Sequence, residues 1–360
     1  QKELAPIVEE DDRNERFRPE LIAKLGELGL TGVPVPESLG GAGLGYQEYA
    51  VVIEELAAVS AGYAVSLAVT GLPQVILSTF GTEEQKKKHI PPLAAGKAIG
   101  AFALSEASSG SDAGSLRAAA RKDGDHYVLN GTKLWCTQAD SADLIVVMAR
   151  TGGPGPSGVS AFLVEKDTPG ISFGKREKKM AMHVSHTMEL LLQDVRIPAA
   201  NRVGGEGDGF KVALTALNGG RITIGATAVG VARAAFEIAV RHSNEREQFG
   251  HPIIELQGVS FLLADSAVAL DASRLLVKRA AWLKDNGRAF ATEASMAKLF
   301  ATDAAMQITT DAVQILGGSG YTQDFPVERF MREAKVLQIV EGTNQIQRVV
   351  IGRALASPRK

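Results

Sequence analysis

Apolar residues recur at helical spacing through the first hundred residues of the chain. Two predicted helices each gather them on one face, formed by Leu21, Ile22, Leu25 and Leu28 and by Val51, Ile53, Leu56 and Ala57. Glycines and prolines between residues 33 and 45 predict a loop, because both residue types interrupt helices. The pattern therefore predicts an N-terminal helical domain over residues 1–100.

Short runs rich in β-branched residues replace the helical pattern between residues 101 and 203. They cover residues 127–129, 144–149, 159–164, 171–173 and 188–192. The pair Asn130-Gly131 is a hairpin signal. No helices alternate with these strands, as a parallel nucleotide-binding sheet would require. We therefore predict a middle β-barrel or β-sandwich domain over residues 101–203.

Long helical segments are predicted from residue 204 to the end. One helix carries an apolar face formed by Val259, Leu263, Leu270, Val277 and Ala281. Another contains small residues that allow close packing, namely Gly225, Ala226, Ala228, Gly230 and Ala232. These features predict a C-terminal four-helix bundle over residues 204–360. The predicted fold class is α+β, in the order helices, strands, helices.

Composition excludes several classes of protein. The formal net charge is −2, and Lys and Arg are spread along all 360 residues, so nothing favours a nucleic-acid partner. No apolar stretch looks long enough to cross a bilayer, and no signal-peptide pattern is seen, so we expect no membrane insertion. A single cysteine, Cys136, excludes an internal disulfide and favours a reducing compartment, either a bacterial cytoplasm or a mitochondrial matrix.

Two apparent motifs do not predict a site. Residues 153–158 match a dinucleotide-binding fingerprint, but two prolines interrupt the match and no helix is predicted to follow it. His183 and His186 could suggest a metal pair, yet no cluster at recognisable spacing completes a ligand set. We therefore predict a loop and no metal site.

A first candidate segment runs from Phe102 to Asp112 at the entrance to the β-domain. Its small hydroxyl residues and Gly110 would let the backbone approach a planar ligand. Farther along, Trp135 offers an apolar face and Thr137 a hydrogen bond. A Ser-rich turn before a strand is an equally good interpretation of the segment.

A second candidate segment lies between two long predicted helices. Arg246 stands close to Phe249 and is followed by Gln257, so an arginine and an aromatic ring could hold a pyrophosphate and stack an adenine. The alternative is a helix end capped by Gly250 with a surface arginine.

A third candidate segment surrounds Glu341 near the C-terminus. Glu341 ends an apolar run and precedes a glycine and a predicted helix. Apolar surroundings destabilise the charged carboxylate and raise its pKa towards that of a useful base, whereas a positive helix start opposes the shift. The alternative is a structural role, with Thr343 as the helix cap and Glu341 as a partner of the helix dipole.

Five sequence blocks occur in an order and spacing that resemble the acyl-CoA dehydrogenase family over nearly the whole chain. The blocks are Ser105-Glu106 to Gly110-Ser111-Asp112, Trp135 to Thr137, Arg246-Glu247 to Phe249-Gly250, Gln314 to Gly318, and Glu341 to Thr343. The resemblance implies a homotetramer that holds FAD between subunits, acts on an acyl-CoA substrate and passes electrons to electron-transfer flavoprotein. It also implies the three-domain fold predicted above.

The resemblance implies roles for individual residues. Residues expected to contact the flavin and nearby cofactor in one subunit are Phe102, Leu104, Ser105, Gly110, Ser111, Trp135 and Thr137. Residues expected to reach the FAD of a neighbour are Arg246, Phe249, Gln257, Gln314, Ile315, Leu316, Gly317 and Gly318, while Thr343 and Gln345 complete the site. Residues expected near the substrate are Ser111, Asn218, Arg221 and Gly342.

In the implied reaction, Glu341 removes a proton alpha to a thioester carbonyl while the flavin accepts a hydride. Some family members carry the base at the position of Gly220, and a glycine cannot serve as one. Two departures from the usual pattern, Ala107-Ser108 and Val340, are expected to change pocket shape only, and residues 65–72 are expected to border the acyl chain. The alternatives are a flavin-dependent oxidase or monooxygenase of the same fold and a non-catalytic acyl-CoA-binding scaffold.

Overall fold

The structure, a computed structural model, describes residues 3–356 and begins with helices. The N-terminal helices are α1 (Val8–Arg13), α2 (Pro19–Glu27), α3 (Tyr46–Ala57), α4 (Ala61–Phe80) and α5 (Glu83–Ala94). Helix α5 starts at a capping box, in which Thr82 and Gln85 each accept a hydrogen bond from the backbone N–H of the other. The predicted N-terminal helices are confirmed.

Eight strands follow and form one mixed sheet. They are β1 (Gly100–Ala103), β2 (Ala119–Asp123), β3 (His126–Thr137), β4 (Leu144–Arg150), β5 (Val159–Glu165), β6 (Ile171–Arg176), β7 (Thr187–Pro198) and β8 (Arg202–Val203). The strands pair in the order β6-β7-β3-β2-β4-β5-β8, and β1 adds to β4 in parallel. Residues 153–158 lie in the connection between β4 and β5, as predicted.

The predicted hairpin at Asn130-Gly131 is wrong. Strand β3 continues through both residues, and the real turn joins β2 to β3 at Gly124, whose φ is +62°. The pairing of β3 with β7 shifts register between Leu129 and Gly131, so the glycine marks a β-bulge. A Cβ on Gly131 would lie 2.6 Å from the Cβ of Ala118, so close packing of the backbone requires a glycine there.

The C-terminal part is again helical. It contains α6 (Gly209–Glu245), a short hairpin of β9 (Glu247–Gln248) and β10 (His251–Pro252), α7 (Gln257–Asp285), α8 (Ala291–Leu316), α9 (Gly318–Tyr321), α10 (Val327–Leu337) and α11 (Asn344–Ala356). The long helices α6, α7 and α8 pack together, and α10 and α11 pack on α8 to complete the bundle.

Small residues let α6 pack closely on its neighbours, as the sequence predicted. A Cβ on Gly225 would lie 2.9 Å from Val277 of α7, and one on Gly230 would lie 2.3 Å from the Glu54 carbonyl oxygen of α3. One hydrophobic core therefore joins α3 and α4 to the C-terminal bundle. The candidate site lies where α3, α4, α6 and α8 meet.

The expectation that no apolar stretch is long enough to cross a bilayer is wrong on length and composition. Among residues 3–356, helices α4 and α6 are both long and apolar enough to cross a bilayer. Most of each apolar window is nevertheless buried against other parts of the protein, 67% for α4 and 78% for α6. Both helices thus bury their apolar surface in the core of the fold.

Candidate active site

Glu341 lies in the turn between α10 and α11, next to α6. Its backbone φ is +57° and that of Gly342 is +89°, so two successive residues adopt the left-handed conformation. This turn directs the side chain of Glu341 towards Gly220 of α6. The last helix starts directly after the turn, because the Thr343 hydroxyl accepts a hydrogen bond from the Ile346 N–H. The capping role considered for Thr343 is therefore present, beside a carboxylate that points inward.

The Glu341 carboxylate is shielded from water. Its Oε2 is buried and has no hydrogen-bonding partner among the described residues. Burial raises the pKa of Glu341 to about 7, and the nearby cations Arg221 and Lys298 oppose that shift. A carboxyl group with this pKa can accept a proton near neutral pH.

Gly220 makes the space that the Glu341 carboxylate occupies. A Cβ at position 220 would lie 2.4 Å from Oε2 and 2.9 Å from Oε1 of Glu341. The adjacent Gly219 makes room in the same way for Tyr46, since a Cβ there would lie 2.7 Å from the phenol oxygen. Two successive glycines thus let α3 and the Glu341 turn approach the same part of α6.

A small cavity lies beside this pair of glycines. Its volume is about 10 Å³, roughly the space needed for one water molecule. It is lined by Thr31, Pro34, Tyr46, Tyr49, Ala68, Gly71, Leu72, Gln74, Val75, Gly219, Gly220 and Thr223. Ala68, Gly71 and Leu72 belong to the segment 65–72 that was expected to border an acyl chain.

Arg221 and Asn218 lie together one turn of α6 apart. The buried Arg221 guanidinium donates from Nη1 to Asn218 Oδ1 at 2.7 Å and to Ser295 Oγ at 3.3 Å. Its Nε is buried without a partner among the described residues. Asn218 also borders a surface groove formed with Pro156, Ser157, Gly207, Phe210, Lys211, Leu214 and Thr215. The two predicted substrate residues therefore connect the interior to an open groove.

The turn also has buried polar neighbours that the sequence analysis missed. Lys298 of α8 donates from Nζ to the Gly342 carbonyl oxygen at 3.1 Å and to Asn344 Oδ1 at 2.7 Å. Gln347 donates from Nε2 to the same Gly342 oxygen at 2.7 Å and to the Glu341 oxygen at 3.3 Å. The available signal was a lysine at helical spacing from Ala294 and Ala301, on a face of α8 that is made of small residues.

The segment after β1 is held by a buried ion pair that sequence reasoning also missed. Glu106 accepts hydrogen bonds from the N–H groups of Arg117 and Ala118 and from Lys133 Nζ, the last at 2.7 Å. Lys133 is fully buried and also donates to the Leu104 carbonyl oxygen. Ser105 is thereby fixed beside β3, where its carbonyl oxygen accepts from the Leu134 N–H.

Trp135 emerges from this fixed region with an exposed ring. It has φ of +59° and a side chain that is 58% exposed, although its neighbour Cys136 is buried. The partly buried Phe102 and Thr137 lie near it on β1 and β3, while Gly110 and Ser111 are exposed in the loop. The fold therefore brings these predicted residues together at one end of the sheet. They present an aromatic ring, a hydroxyl group and an exposed stretch of backbone there.

Other predicted cofactor residues lie on the surface, apart from the residues that contact Glu341. Arg246 and Phe249 belong to the hairpin region between α6 and α7, and Phe249 is 87% exposed. In the described part of the chain no group pairs with the Arg246 guanidinium. Gln257 at the start of α7, Gln314, Gly317, Gly318 and Gln345 are also exposed, whereas Ile315 and Leu316 are buried at the end of α8.

These side chains fit FAD. An unpaired guanidinium can bind a phosphate group, and exposed rings such as Trp135 and Phe249 can contact aromatic heterocycles. The histidines tested as metal ligands have other partners, because His183 contacts Asp12 and His186 contacts Asp140. Residues 3–356 contain no group of three or more His, Cys, Asp or Glu side chains that could hold a metal ion.

The chain matches three family models that together span most of its length. Residues 1–97 match the N-terminal domain of acyl-CoA dehydrogenases, residues 101–195 the middle domain and residues 207–356 the C-terminal domain. A Bacillus subtilis acyl-CoA dehydrogenase is 49% identical over 356 residues, which cover 98% of this chain and 94% of the relative.

Two solved structures superpose closely on the chain. Butyryl-CoA dehydrogenase from Megasphaera elsdenii has a TM-score of 0.97 and 45% identity, covering 99% of this chain and 94% of that one. A chain from a structure of the electron transferring flavoprotein of Acidaminococcus fermentans has a TM-score of 0.97 and 47% identity, with the same coverage of 99% and 94%.

Proposed function

This chain belongs to the acyl-CoA dehydrogenase family of FAD-dependent oxidoreductases, and on that premise we propose that Glu341 is its catalytic base. The observation that supports the proposal is the buried Oε2 without a partner, on a group whose pKa burial raises to about 7. In the proposed step, the ionised carboxylate takes the α-proton of an acyl-CoA thioester. FAD, when bound, supplies the acceptor for the hydride that leaves the β-carbon.

We also propose that the Glu341 N–H polarises the thioester carbonyl. No backbone oxygen among the described residues accepts a hydrogen bond from this N–H. A free donor beside the base would stabilise the negative charge that develops on the thioester oxygen as the α-proton leaves. The same residue would then supply both the proton acceptor and one oxyanion donor.

The substrate proposed is a short, straight acyl-CoA. The cavity beside Gly220 is only about 10 Å³ and is lined by Tyr46, Tyr49 and Leu72, which favours a short acyl chain over a long or branched one. The similarity to butyryl-CoA dehydrogenase supports the same class. We place the CoA portion along the groove at Lys211 and Asn218, near Arg221 and Gly342, with Ser111 contributing from the β-domain.

We propose that FAD is held between subunits of a homotetramer. Phe102, Leu104, Ser105, Gly110, Trp135 and Thr137 would bind it in one subunit, together with Thr343 and Gln345. The exposed Arg246 and Phe249, with Gln257 and residues 314–318, would reach the cofactor of a neighbour. An apolar stripe on α7 supports subunit association, since large exposed side chains recur every seven residues at Phe261, Val268, Leu275 and Trp282.

The proposed electron acceptor is electron-transfer flavoprotein, on the strength of the similarity to a chain in a structure of that flavoprotein. We propose a cytoplasmic location in a bacterium or a mitochondrial matrix location. A short-chain relative from Bos taurus, 46% identical over 362 residues with 100% of this chain and 88% of the relative covered, is named as mitochondrial.

The test compares the holoenzyme with Glu341→Gln under anaerobic conditions. Each protein is mixed with butyryl-, octanoyl-, isovaleryl- and 3-phenylpropanoyl-CoA, and loss of the visible flavin band is followed. We expect butyryl-CoA to reduce the wild-type flavin fastest, and Glu341→Gln to keep flavin and ligand binding while its rate falls by about 10² to 10⁴. The exposed Glu84→Gln on α5 serves as the matched carboxylate control. Near-normal reduction in Glu341→Gln would refute the assignment, and rapid reoxidation by air would favour an oxidase.

A further inference from the structure

The turn that carries Glu341 is held in an unfavourable backbone conformation. Left-handed φ values at Glu341 and Gly342 follow each other directly, and Glu341 has a side chain that disfavours this region. Such conformations persist when surrounding contacts determine them, and they concentrate at functional sites. The contacts that hold this turn therefore bear on where the carboxylate lies.

Lys298 of the long helix α8 donates directly to the backbone of the turn. Its side chain is completely buried, and Nζ donates to the Gly342 carbonyl oxygen at 3.1 Å and to Asn344 Oδ1 at 2.7 Å. One ammonium group thus binds the residue after Glu341 and the first residue of α11. The distance along the chain between Lys298 and the turn makes this a tertiary constraint.

Asn344 extends the same network back to α8. Its Nδ2 donates to Asp303 Oδ1 at 2.7 Å, and its Oδ1 accepts from the Thr302 hydroxyl at 3.2 Å. Asp303 is also bound by Arg348 at 3.0 Å and by Gln338 at 2.7 Å. Both ends of the turn are consequently fixed to one face of α8.

Charged and titratable groups face Glu341 from three helices. Arg221 approaches from α6, Lys298 from α8 and Tyr46 from α3, while Asp303 of α8 interacts with Lys298. Arg221 is bound to Asn218 and Ser295, and Asp303 is paired with Arg348. Lys298 alone among these groups donates directly to the backbone of the Glu341–Gly342 turn.

We propose that Lys298 is a positioning residue for the catalytic base. Its Nζ fixes the left-handed turn against α8 through two hydrogen bonds, and in its protonated form it favours the ionised Glu341 carboxylate. Burial lowers the pKa of Lys298 to about 7, so the charge effect weakens as the pH rises through that value. The inference rests on the role proposed above for Glu341. Gln347 also helps to hold the turn in place, because it donates hydrogen bonds to the carbonyl oxygens of Glu341 and Gly342. It carries no charge and so does not favour the ionised carboxylate.

The test uses Lys298→Met and Lys298→Gln holoenzymes. Methionine removes both the donors and the charge at similar volume, whereas glutamine keeps an amide donor without the charge. Lys87→Met on the exposed surface of α5 is the control for loss of one positive charge. We would measure flavin content, the Kd of a non-oxidisable butyryl-CoA thioether, and the limiting rate of flavin reduction by butyryl-CoA.

The pKa of Glu341 can be measured without turnover by infrared difference titration of the substrate-free holoenzyme. The carboxyl band of Glu341 is assigned as the band that disappears in Glu341→Gln. We expect Lys298→Met to reduce the flavin about 10- to 100-fold more slowly than wild type, since the base is displaced. We expect its carboxyl pKa to rise by about one unit, since an opposing cation is lost. Lys298→Gln should recover part of the rate and none of the pKa change, while flavin content and the thioether Kd stay near wild type.

An unchanged carboxyl pKa in Lys298→Met would overturn the proposal, as would a rate loss matched by an equal loss of thioether binding. Failure of both variants to give folded holoenzyme would also overturn it, because Lys298 would then support the whole fold. Failure of the base assignment is distinguishable: Glu341→Gln would then reduce flavin normally, while the infrared titration would still measure the effect of Lys298 on the carboxyl group.

Discussion

Gly220→Ala tests the arrangement of the base through a single methyl group. The new Cβ would lie 2.4 Å from Glu341 Oε2, whereas ordinary van der Waals contact begins at 3.4 Å, so the carboxylate must retreat by about 1 Å. The contact is with the base itself, because the Glu341 Cδ and Oε1 atoms are the next nearest at 2.7 and 2.9 Å. No other described side chain lies as close to the new methyl group.

A displacement of about 1 Å at a reacting group can reduce the rate by about 100-fold. This corresponds to about 2.7 kcal/mol in the activation free energy. The change in folding stability should be smaller, because alanine favours a helix over glycine by about 1 kcal/mol while overpacking costs about 1 to 3 kcal/mol. Activity should therefore fall much more than the stability of the protein.

The assay is anaerobic stopped-flow reduction of the bound flavin by butyryl-CoA. Gly352→Ala is the matched control, because Gly352 lies within α11 and a Cβ there would meet nothing within 4 Å. We expect the control to reduce flavin at the wild-type rate and Gly220→Ala to retain its flavin but react about 100-fold more slowly. A wild-type rate in folded Gly220→Ala would show that the carboxylate does not act from the position seen here.

Two further predictions concern the Glu341 site, and a third concerns the surface residue Arg246. Burial raises the pKa of Glu341 to about 7, and the ionised form is the base. The limiting rate of flavin reduction should therefore rise about tenfold per pH unit below 7 and level off above it, and a rate that does not change with pH would contradict this. Val75→Ala enlarges the cavity and should raise the ratio of kcat/KM for hexanoyl-CoA over butyryl-CoA by about tenfold, whereas an unchanged ratio would place the acyl chain elsewhere. Arg246→Met should lower the flavin content per chain and the exposed Arg241→Met should not, as measured by visible absorbance of the purified proteins.

Local sequence signals predicted some turns well and one badly. The Gly and Pro cluster between α2 and α3 forms the expected loop, because those residue types act on the backbone directly. Asn130-Gly131 carries an equally strong local signal, yet it forms a bulge inside β3, where the backbone packs against Ala118. The same dipeptide suits either structure, and pairing with β7 decides between them.

Some residues of the candidate site could be predicted from local sequence signals, and others could not. Glu341 was predicted from an apolar run that ends before a glycine and a helix, and the structure buries its Oε2 as that pattern implied. Lys298 and Lys133 were missed because a lysine in a sequence is expected in solvent, whereas both are fully buried here. Their acceptors, Gly342 and Leu104, are backbone groups that a sequence pattern does not mark. The domain limits 1–100, 101–203 and 204–360 and the cofactor roles of surface residues such as Arg246 remain predictions.

By itself, the sequence determined the order of helices, strands and helices, because periodicity along the chain decides which face of each element is apolar. It also determined that an acidic residue follows an apolar segment at Glu341. Only the tertiary structure decided that Gly220 leaves space for this carboxylate and that Arg221 and Lys298 oppose its protonation. The physical reason is that burial and charge depend on contacts between α6, α8 and a distant turn, and those contacts exist only after the chain has folded.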